Sequence, residues 1–264
     1  LAAEPPAAQE ADEDRAAYYD RAVSRLGWCI KNFGGYQKKI MRDVFFEAFE
    51  TYETGCAPVI QELARGVAPE QQTQLLGRAA AAMLDELEAG WQKKGDMEDE
   101  KIVLAIFFVP MVRKQQLPIS EEFVTILQKQ WVERYPKSPF YLGDYESISG
   151  GFRKKFLGLC FITTAVCQEL GKPDDCEELT AFRAFRDGYL RSQPDGETLI
   201  REYYNIAPGI VTCINTCSDR HASYARIREE YLAPCYQDLL AGRNESCKAR
   251  YVRMVRDLER EYLS

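Results

Sequence analysis

Residues 102–112 read IVLAIFFVPMV, with Glu100-Lys101 before this apolar stretch and Arg113-Lys114 after it. A bilayer-spanning helix needs about 20 apolar residues, so the stretch is too short to cross a membrane. It predicts instead a helix that is buried on all sides. Pro110 is expected to end or kink that helix, because proline lacks the backbone donor that a helix interior needs.

Helical periodicity continues on both sides of this stretch, and no segment shows the sustained alternation of a half-buried strand. Gly or Pro separates most of the periodic windows, as is usual at helix ends. Asp174, Asp195 and Asn244 precede three of the windows and are residue types that cap helices. The predicted fold class is all-α, a compact bundle of about a dozen helices. We expect these helices near 14–33, 36–54, 56–65, 69–94, 97–115, 120–135, 159–170, 175–192, 196–206, 208–217, 220–232, 234–241 and 245–262.

The length of 264 residues allows one large domain or two ordinary ones. Prolines and glycines cluster between 136 and 151, so a boundary is expected there. Acidic residues outnumber basic ones by 19 to 11 in residues 1–100, whereas the remainder is nearly balanced. We therefore expect a disordered tail at 1–13, an acidic helical region at 14–140 and a cysteine-rich helical region at 150–264. The two regions would form two packed helical subdomains.

The charge pattern argues against several classes of partner. The chain has 34 basic and 41 acidic residues, a net charge of −7, and no long basic run. A nucleic-acid partner is therefore not expected, and neither is a membrane partner. The sequence contains no glycine-rich nucleotide loop and no serine-hydrolase or zinc-protease motif, so whether the chain is an enzyme stays open.

Cysteine usage indicates a cytoplasmic location. The chain contains nine cysteines, an odd number, and is too long to depend on disulfides for its stability. Thiols in a reducing compartment are therefore expected. They occupy positions 29, 56, 160, 167, 176, 213, 217, 235 and 247.

Three motifs follow one another in the C-terminal region: CFITTA at 160–165, FRAFRDGYL at 182–190 and YYNIAP at 203–208. In order and spacing they resemble the CFI-box, a C-terminal module of uncharacterised bacterial proteins. The whole chain is similar to cysteine-rich helical proteins of anaerobic Firmicutes. Thr163 and Cys167 depart from the commoner form of the box. The resemblance covers 156–212 and implies a helical fold, with no activity, substrate or cofactor attached.

A thiol site is one hypothesis for this region. In a helix over 159–170, Cys160, Thr163, Thr164 and Cys167 would share one face. Two turns of helix separate the two cysteines by about 10 Å, too far for a disulfide or a shared metal without further ligands. A metal or redox site would draw those ligands from Cys176, Cys213, Cys217 and His221, which is the only histidine.

Core packing is the alternative for the same residues, because Cys and Thr are small and often buried. His221 and its neighbouring cysteines would share one stripe only in an unbroken helix, and Asp219 can start a new helix there. We expect no cofactor under the packing alternative. Zinc or another thiophilic metal is the cofactor that the thiol site would imply.

Two arginines form a second candidate site in the window 175–192. Arg183 has helical spacing to Asp187, whereas Arg186 lies beside an apolar stripe and needs a partner there. Either arginine could bind an anion or a partner carboxylate. On the same stripe we expect Leu179, Phe182 and Tyr189 to be largely buried.

Two functions therefore remain in view. The first is a cytoplasmic helical scaffold or regulatory module that acts through a protein partner or self-association, without catalysis. The second is a thiol-based metal-binding or redox protein that uses the C-terminal cysteines. They differ in whether these cysteines converge in space.

Overall fold

A computed structural model describes residues 6–93, 95–153 and 160–263. Helix accounts for 80% of the described residues and none of them forms a strand, so the all-α prediction is confirmed. Within these ranges, no helix is both long enough and apolar enough to span a membrane. All nine cysteines are thiols.

The described chain divides by its contacts into two units. The first unit contains the chain up to Tyr36 together with Glu47–Ile148, and the second contains Gln37–Phe46 and the chain from Ser149 onward. The first seven α-helices are α1 (Pro6–Leu26), α2 (Trp28–Lys31), α3 (Phe45–Gly66), α4 (Gln72–Gly90), α5 (Asp96–Val103), α6 (Val109–Lys114) and α7 (Ser120–Arg134). They are followed by α8 (Tyr145–Arg153), α9 (Phe161–Glu169), α10 (Glu177–Ala184), α11 (Gly196–Cys217), α12 (Arg220–Ile227), α13 (Ala233–Leu240) and α14 (Asn244–Tyr262).

Short 3₁₀ and π segments complete the helical structure. The 3₁₀ segments are Tyr36–Lys39, Pro69–Gln71 and Leu190–Ser192, and the π segments are Leu104–Phe108, Phe185–Tyr189 and Arg228–Leu232. In the first unit α4 packs against α1 and α7, whereas in the second α11 packs against α9 and α14.

The apolar stretch at 102–112 is buried throughout, as predicted. Pro110 does not end the helix, because the π segment just before it changes the hydrogen bonding. The N–H of Val109 donates to the carbonyl of Leu104, five residues earlier. The wider π turn lets α5 continue into α6 with the proline inside. The same arrangement recurs before Pro234, where the N–H of Ala233 donates to the carbonyl of Arg228.

Two predicted helix breaks are wrong. Helix α3 continues through Gly55 and Pro58, and α11 continues through Pro208. A glycine inside a helix costs only about 1 kcal/mol. In α3 this cost is offset by an unbroken buried stripe, which consists of Phe49, Tyr52, Cys56, Ile60 and Leu63.

The N-terminal tail also differs from its prediction. Residues 1–5 of the predicted tail lie outside the described residues. From Pro6 onward the chain is already helical in α1. Proline suits the first turn of a helix, and the alanines and glutamates that follow are strong helix formers.

A short segment, residues 37–46, belongs to the second unit although first-unit residues precede and follow it. Its backbone is fixed on α11, because the N–H of Arg42 donates to the carbonyl of Asn205 over 2.9 Å. The N–H of Asp43 donates to the Asn205 side chain at 3.0 Å. The ring of Phe45 stacks on that of Phe152 with 4.2 Å between centroids. A boundary drawn along the sequence alone does not anticipate this segment.

Candidate functional site

A partly open pocket lies within the second unit, with walls from α10, α11, α14 and the turn after α10. Its cavity volume is about 50 Å³, and one side is open to solvent. Clefts with apolar walls and a few polar groups are typical of small-molecule sites. The apolar lining includes Phe182, Phe185, Leu199, Ile200, Val252 and Val255.

The three motifs of the C-terminal region meet at this pocket. Cys160 from the first motif, Arg186 from the second and Tyr203 from the third all line it. They belong to separate segments of the chain, and the fold brings them together. The convergence places the polar groups of the three motifs beside an apolar cavity.

Arg186 is the polar centre of this arrangement. Its Nε and Nη2 donate to the two carboxylate oxygens of Asp187, at 2.8 and 2.6 Å. Its Nη1 donates to Tyr204 Oη at 3.0 Å and approaches Cys160 Sγ at 3.5 Å. The arginine is 7% exposed. The hydrogen bonds from Arg186 hold the pKa of Asp187 below its usual value. Arg186 therefore has the partner that its place beside the apolar stripe requires, and that partner is the carboxylate of the next residue.

Cys160 lies just outside the helix in which it was expected. It is the N-cap residue of α9, with φ −106° and ψ 79°, and the helix begins at Phe161. The prediction that Cys160 shares a helical face with Cys167 is therefore wrong, because Cys160 is not part of the helix. Burial raises the pKa of the Cys160 thiol, and the positive charge of Arg186 opposes that rise. The thiol is therefore disfavoured as a nucleophile in this state.

Two tyrosines, the buried Tyr203 and the half-buried Tyr251, connect this site to the start of α9 and to α14. The N–H of Ile162 donates to Tyr203 Oη at 3.0 Å. The hydroxyl groups of Thr163 and Tyr251 lie 3.3 Å apart. Burial raises the pKa of both tyrosines, so each remains a neutral hydrogen-bonding group. These bonds satisfy polar atoms of two residues that line the pocket.

Two of the candidate cysteines lie together, away from the pocket lining. The Sγ atoms of Cys167 and Cys176 are 3.8 Å apart. Cys167 is buried and Cys176 is half-buried. Burial, together with the neighbouring Cys176, raises the pKa of Cys167 to about 12. Cys176 also occupies the N-cap position of α10, where Asp174 was expected.

The remaining thiol candidates are separated by a change of direction at the end of α11. Cys213 and Cys217 are buried in α11, where Cys213 Sγ lies 3.6 Å from the carbonyl oxygen of Tyr262. Asp219 starts α12 by accepting the N–H of Ala222, which confirms the predicted helix start. His221 therefore points away, with its side chain 80% exposed and in contact with the Glu169 carboxylate. In the described part of the chain, no three residues of His, Cys, Asp or Glu are placed to hold a metal ion.

Arg183 has a different role from Arg186. Its guanidinium donates to the backbone carbonyl and to the carboxylate of Asp174, at 2.8 and 2.9 Å. The predicted pairing with Asp187 is replaced by this contact, because Asp187 turns to Arg186. Arg183 thus stabilises the turn that precedes α10 and does not line the pocket.

Tyr189 is the one residue of the predicted stripe that is not buried. Leu179 and Phe182 are 0% and 2% exposed, as expected, and Leu190 is 8% exposed. Tyr189 is partly exposed and its hydroxyl contacts Glu245. The π segment over 185–189 inserts an extra residue into the turn, so the inward face moves by one position.

The sequence did not identify the α14 wall of the pocket. Tyr251, Val252 and Val255 line it from a helix that no motif singles out. The apolar spacing of Tyr251, Val255 and Leu258 within the predicted helix 245–262 was the available signal. That spacing indicates an inward face, and a cavity beside the face is a tertiary property.

Comparisons with protein-family models, with curated proteins and with solved structures found no match.

Proposed function

We propose that the chain is a cytoplasmic regulatory module whose second unit binds a small, largely apolar molecule, without catalysing a reaction. The observation that carries this proposal is the partly open pocket with apolar walls, at which residues of the three motifs meet. Burial of apolar ligand surface contributes roughly 25 cal/mol per Å². Such a pocket therefore favours ligands whose shape and apolar surface match its walls.

The polar groups of the pocket support binding over catalysis. Arg186 is engaged by Asp187 and Tyr204, and the thiol of Cys160 is buried. A cysteine nucleophile needs a base within hydrogen-bond reach. His221 contacts Glu169 and does not line the pocket.

The convergence of the three motifs gives the pocket its polar groups. Under this proposal, Cys160, Arg186 and Tyr203 form a hydrogen-bonded frame that holds the apolar walls in place. The nine thiols support a reducing cytoplasm as the location. Ligand binding would change the affinity of the module for a protein partner or for a second copy of the chain.

The alternative, a thiol-based metal or redox protein, is favoured by one observation. Cys167 and Cys176 place their sulfur atoms 3.8 Å apart. A structural zinc site takes four ligands, and the described residues offer no group of three. The redox form of this alternative therefore has more support than the metal form.

The pocket is tested with 8-anilinonaphthalene-1-sulfonate, an apolar probe whose fluorescence rises in apolar sites. Leu199 is part of the pocket wall on α11. Leu199→Trp fills the cavity, and we expect it to weaken saturable binding by about tenfold, equivalent to about 1.4 kcal/mol. The matched control is Leu240→Trp, the same change at a leucine that is 64% exposed and outside the pocket.

The probe is excited directly, so that the added indole does not contribute to the signal. Circular dichroism confirms that both variants are folded. Equal probe affinity in the two variants, or no saturable binding to the unmodified chain, would count against the pocket as a ligand site.

A further inference from the structure

The connection between α9 and α10 brings two thiols together outside the pocket. The Sγ atoms of Cys167 and Cys176 lie 3.8 Å apart. A disulfide requires about 2.05 Å between the sulfur atoms. The remaining gap of about 1.8 Å is within reach of side-chain rotation and a small backbone movement.

The first half of this connection has a fixed backbone. The N–H of Lys172 donates to the carbonyl of Cys167 at 2.9 Å, and the N–H of Gly171 donates to that of Gln168 at 3.0 Å. This pair of bonds is a Schellman motif, which ends a helix with a residue in the left-handed conformation. Gly171 supplies that conformation with φ +66°. The motif fixes the direction in which the chain leaves Cys167.

The second half is fixed by side chains as well as by the backbone. The N–H of Cys176 donates to the carbonyl of Pro173 at 3.1 Å. Arg183 reaches back from α10 to hold Asp174 at 2.9 Å. Lys172 contacts the buried Glu178 carboxylate. The approach of the two sulfur atoms is therefore maintained by bonds on both sides of the turn.

Accessibility distinguishes this pair from other thiols that lie near each other. A hydrogen bond to the neighbouring thiol, together with burial, raises the pKa of Cys29, beside Cys56, and of Cys247, beside Cys235. All four of these cysteines are 0% exposed. Cys176 is half-buried and Cys167 is 2% exposed. A small reagent can therefore reach Cys176, whereas a reagent has no path to the other two pairs without unfolding.

We propose that Cys167 and Cys176 form a reversible intramolecular disulfide by exchange with a low-molecular-weight disulfide. The Cys176 thiolate attacks one sulfur of the small disulfide and forms a mixed disulfide, and one small thiol leaves. The Cys167 thiolate then attacks Cys176 Sγ, and the second small thiol leaves. The protein loses two electrons and two protons, and the small disulfide becomes two thiols. This modification site is separate from the proposed ligand pocket.

The experiment uses the folded chain of 264 residues, incubated with oxidised glutathione and then quenched with acid and an alkylating reagent. Trypsin does not separate the two cysteines, because Pro173 follows Lys172. A glutamyl endopeptidase does, because Glu169 lies between them. We expect peptides 147–169 and 170–177 to be recovered as one disulfide-linked species.

Three variants define the result. Cys176→Ser removes the first nucleophile while keeping a residue that favours the N-cap position, so the fold is retained and the linked species is lost. Cys160→Ala tests the other cysteine on peptide 147–169, and the linked species should persist. Cys235→Ser is the matched control at a fully buried thiol of another pair, and it should leave the yield unchanged.

Several results would overturn the proposal. One is a native chain that keeps all nine thiols in the glutathione buffer. A second is glutathione that accumulates on peptide 170–177 without a link to peptide 147–169. A third is a linked species that disappears in Cys160→Ala, which would place the bond between Cys160 and Cys176.

Discussion

Asp187→Ala is expected to destabilise the second unit by about 2 kcal/mol. This substitution leaves the guanidinium of Arg186 buried without its carboxylate partner. The side chains of Arg186 and Asp187 are 8% and 49% exposed. Breaking a fully buried ion pair costs about 3–5 kcal/mol, whereas an exposed pair contributes about 0–1 kcal/mol. A pair with one buried and one half-exposed member falls between these limits.

Arg186→Met should cost less, about 1 kcal/mol, because the carboxylate that remains is half-exposed and water can solvate it. In the double variant the buried charge is absent, so removing the carboxylate causes little further loss of stability. We therefore expect a coupling energy of about 1–2 kcal/mol between the two positions. Glu197→Ala is the control, since its side chain is 70% exposed and pairs with a half-exposed Arg191. That control should change stability by less than about 0.5 kcal/mol.

The assay must follow the two units separately. Trp28, Trp91 and Trp131 all belong to the first unit, so tryptophan fluorescence in urea reports on that unit. Hydrogen exchange of peptides from α10 and α11 reports on the second. The reasoning is wrong if Asp187→Ala leaves exchange within about 0.5 kcal/mol of the unmodified chain, the range of neutral surface changes. It is also wrong if Arg186→Met proves the more costly substitution.

Three further predictions concern stability. Gly209→Ala places a Cβ 1.9 Å from a backbone carbonyl oxygen. Hydrogen exchange should therefore show that the second unit loses about 1–3 kcal/mol of stability. Gly188→Ala is the control, because there is open space around its Cβ, and it should not reduce stability. The proposed disulfide closes a short loop and should raise the free energy of unfolding by about 2.5 kcal/mol. Thermal unfolding after oxidation should show this increase in the unmodified chain and not in Cys176→Ser. Asp238 has its pKa lowered, first by the Ser246 hydroxyl and then by nearby arginines. The contribution of Asp238 to the free energy of unfolding is therefore fully present above the unfolded pKa of about 3.9. That contribution is lost as the pH falls through the folded pKa. Urea unfolding between neutral and acid pH should show a weaker acid dependence in Asp238→Asn.

The helical class could be predicted because local signals agree with one another along most of the chain. The buried stretch 102–112 is an example, since its length and its charged flanks determine its interpretation. Helix ends were harder to predict. Pro208 lies inside α11, where 14 of the 22 residues are buried. Tertiary burial of that kind outweighs a local preference of about 3 kcal/mol.

The candidate site was predicted in part. The chemistry of Cys160 and Arg186 indicates both as site residues, and both line the pocket. The apposition of Cys167 and Cys176 depends on the turn at Gly171, and sequence spacing does not give that geometry. Tyr189 was misplaced because a π turn changes the helical register, and no residue pattern indicates such a turn in advance.

The segment at 37–46 has a consequence for how the chain acquires its structure during translation. Its partner Asn205 leaves the ribosome more than 160 residues later. Until then Ile40 and Phe45, both fully buried in the finished protein, have no second unit to cover them. A fragment that starts at Ser149 would lack these two side chains and the backbone donor of Arg42. A synthetic peptide of residues 37–46, added in trans, should therefore improve the refolding yield of that fragment.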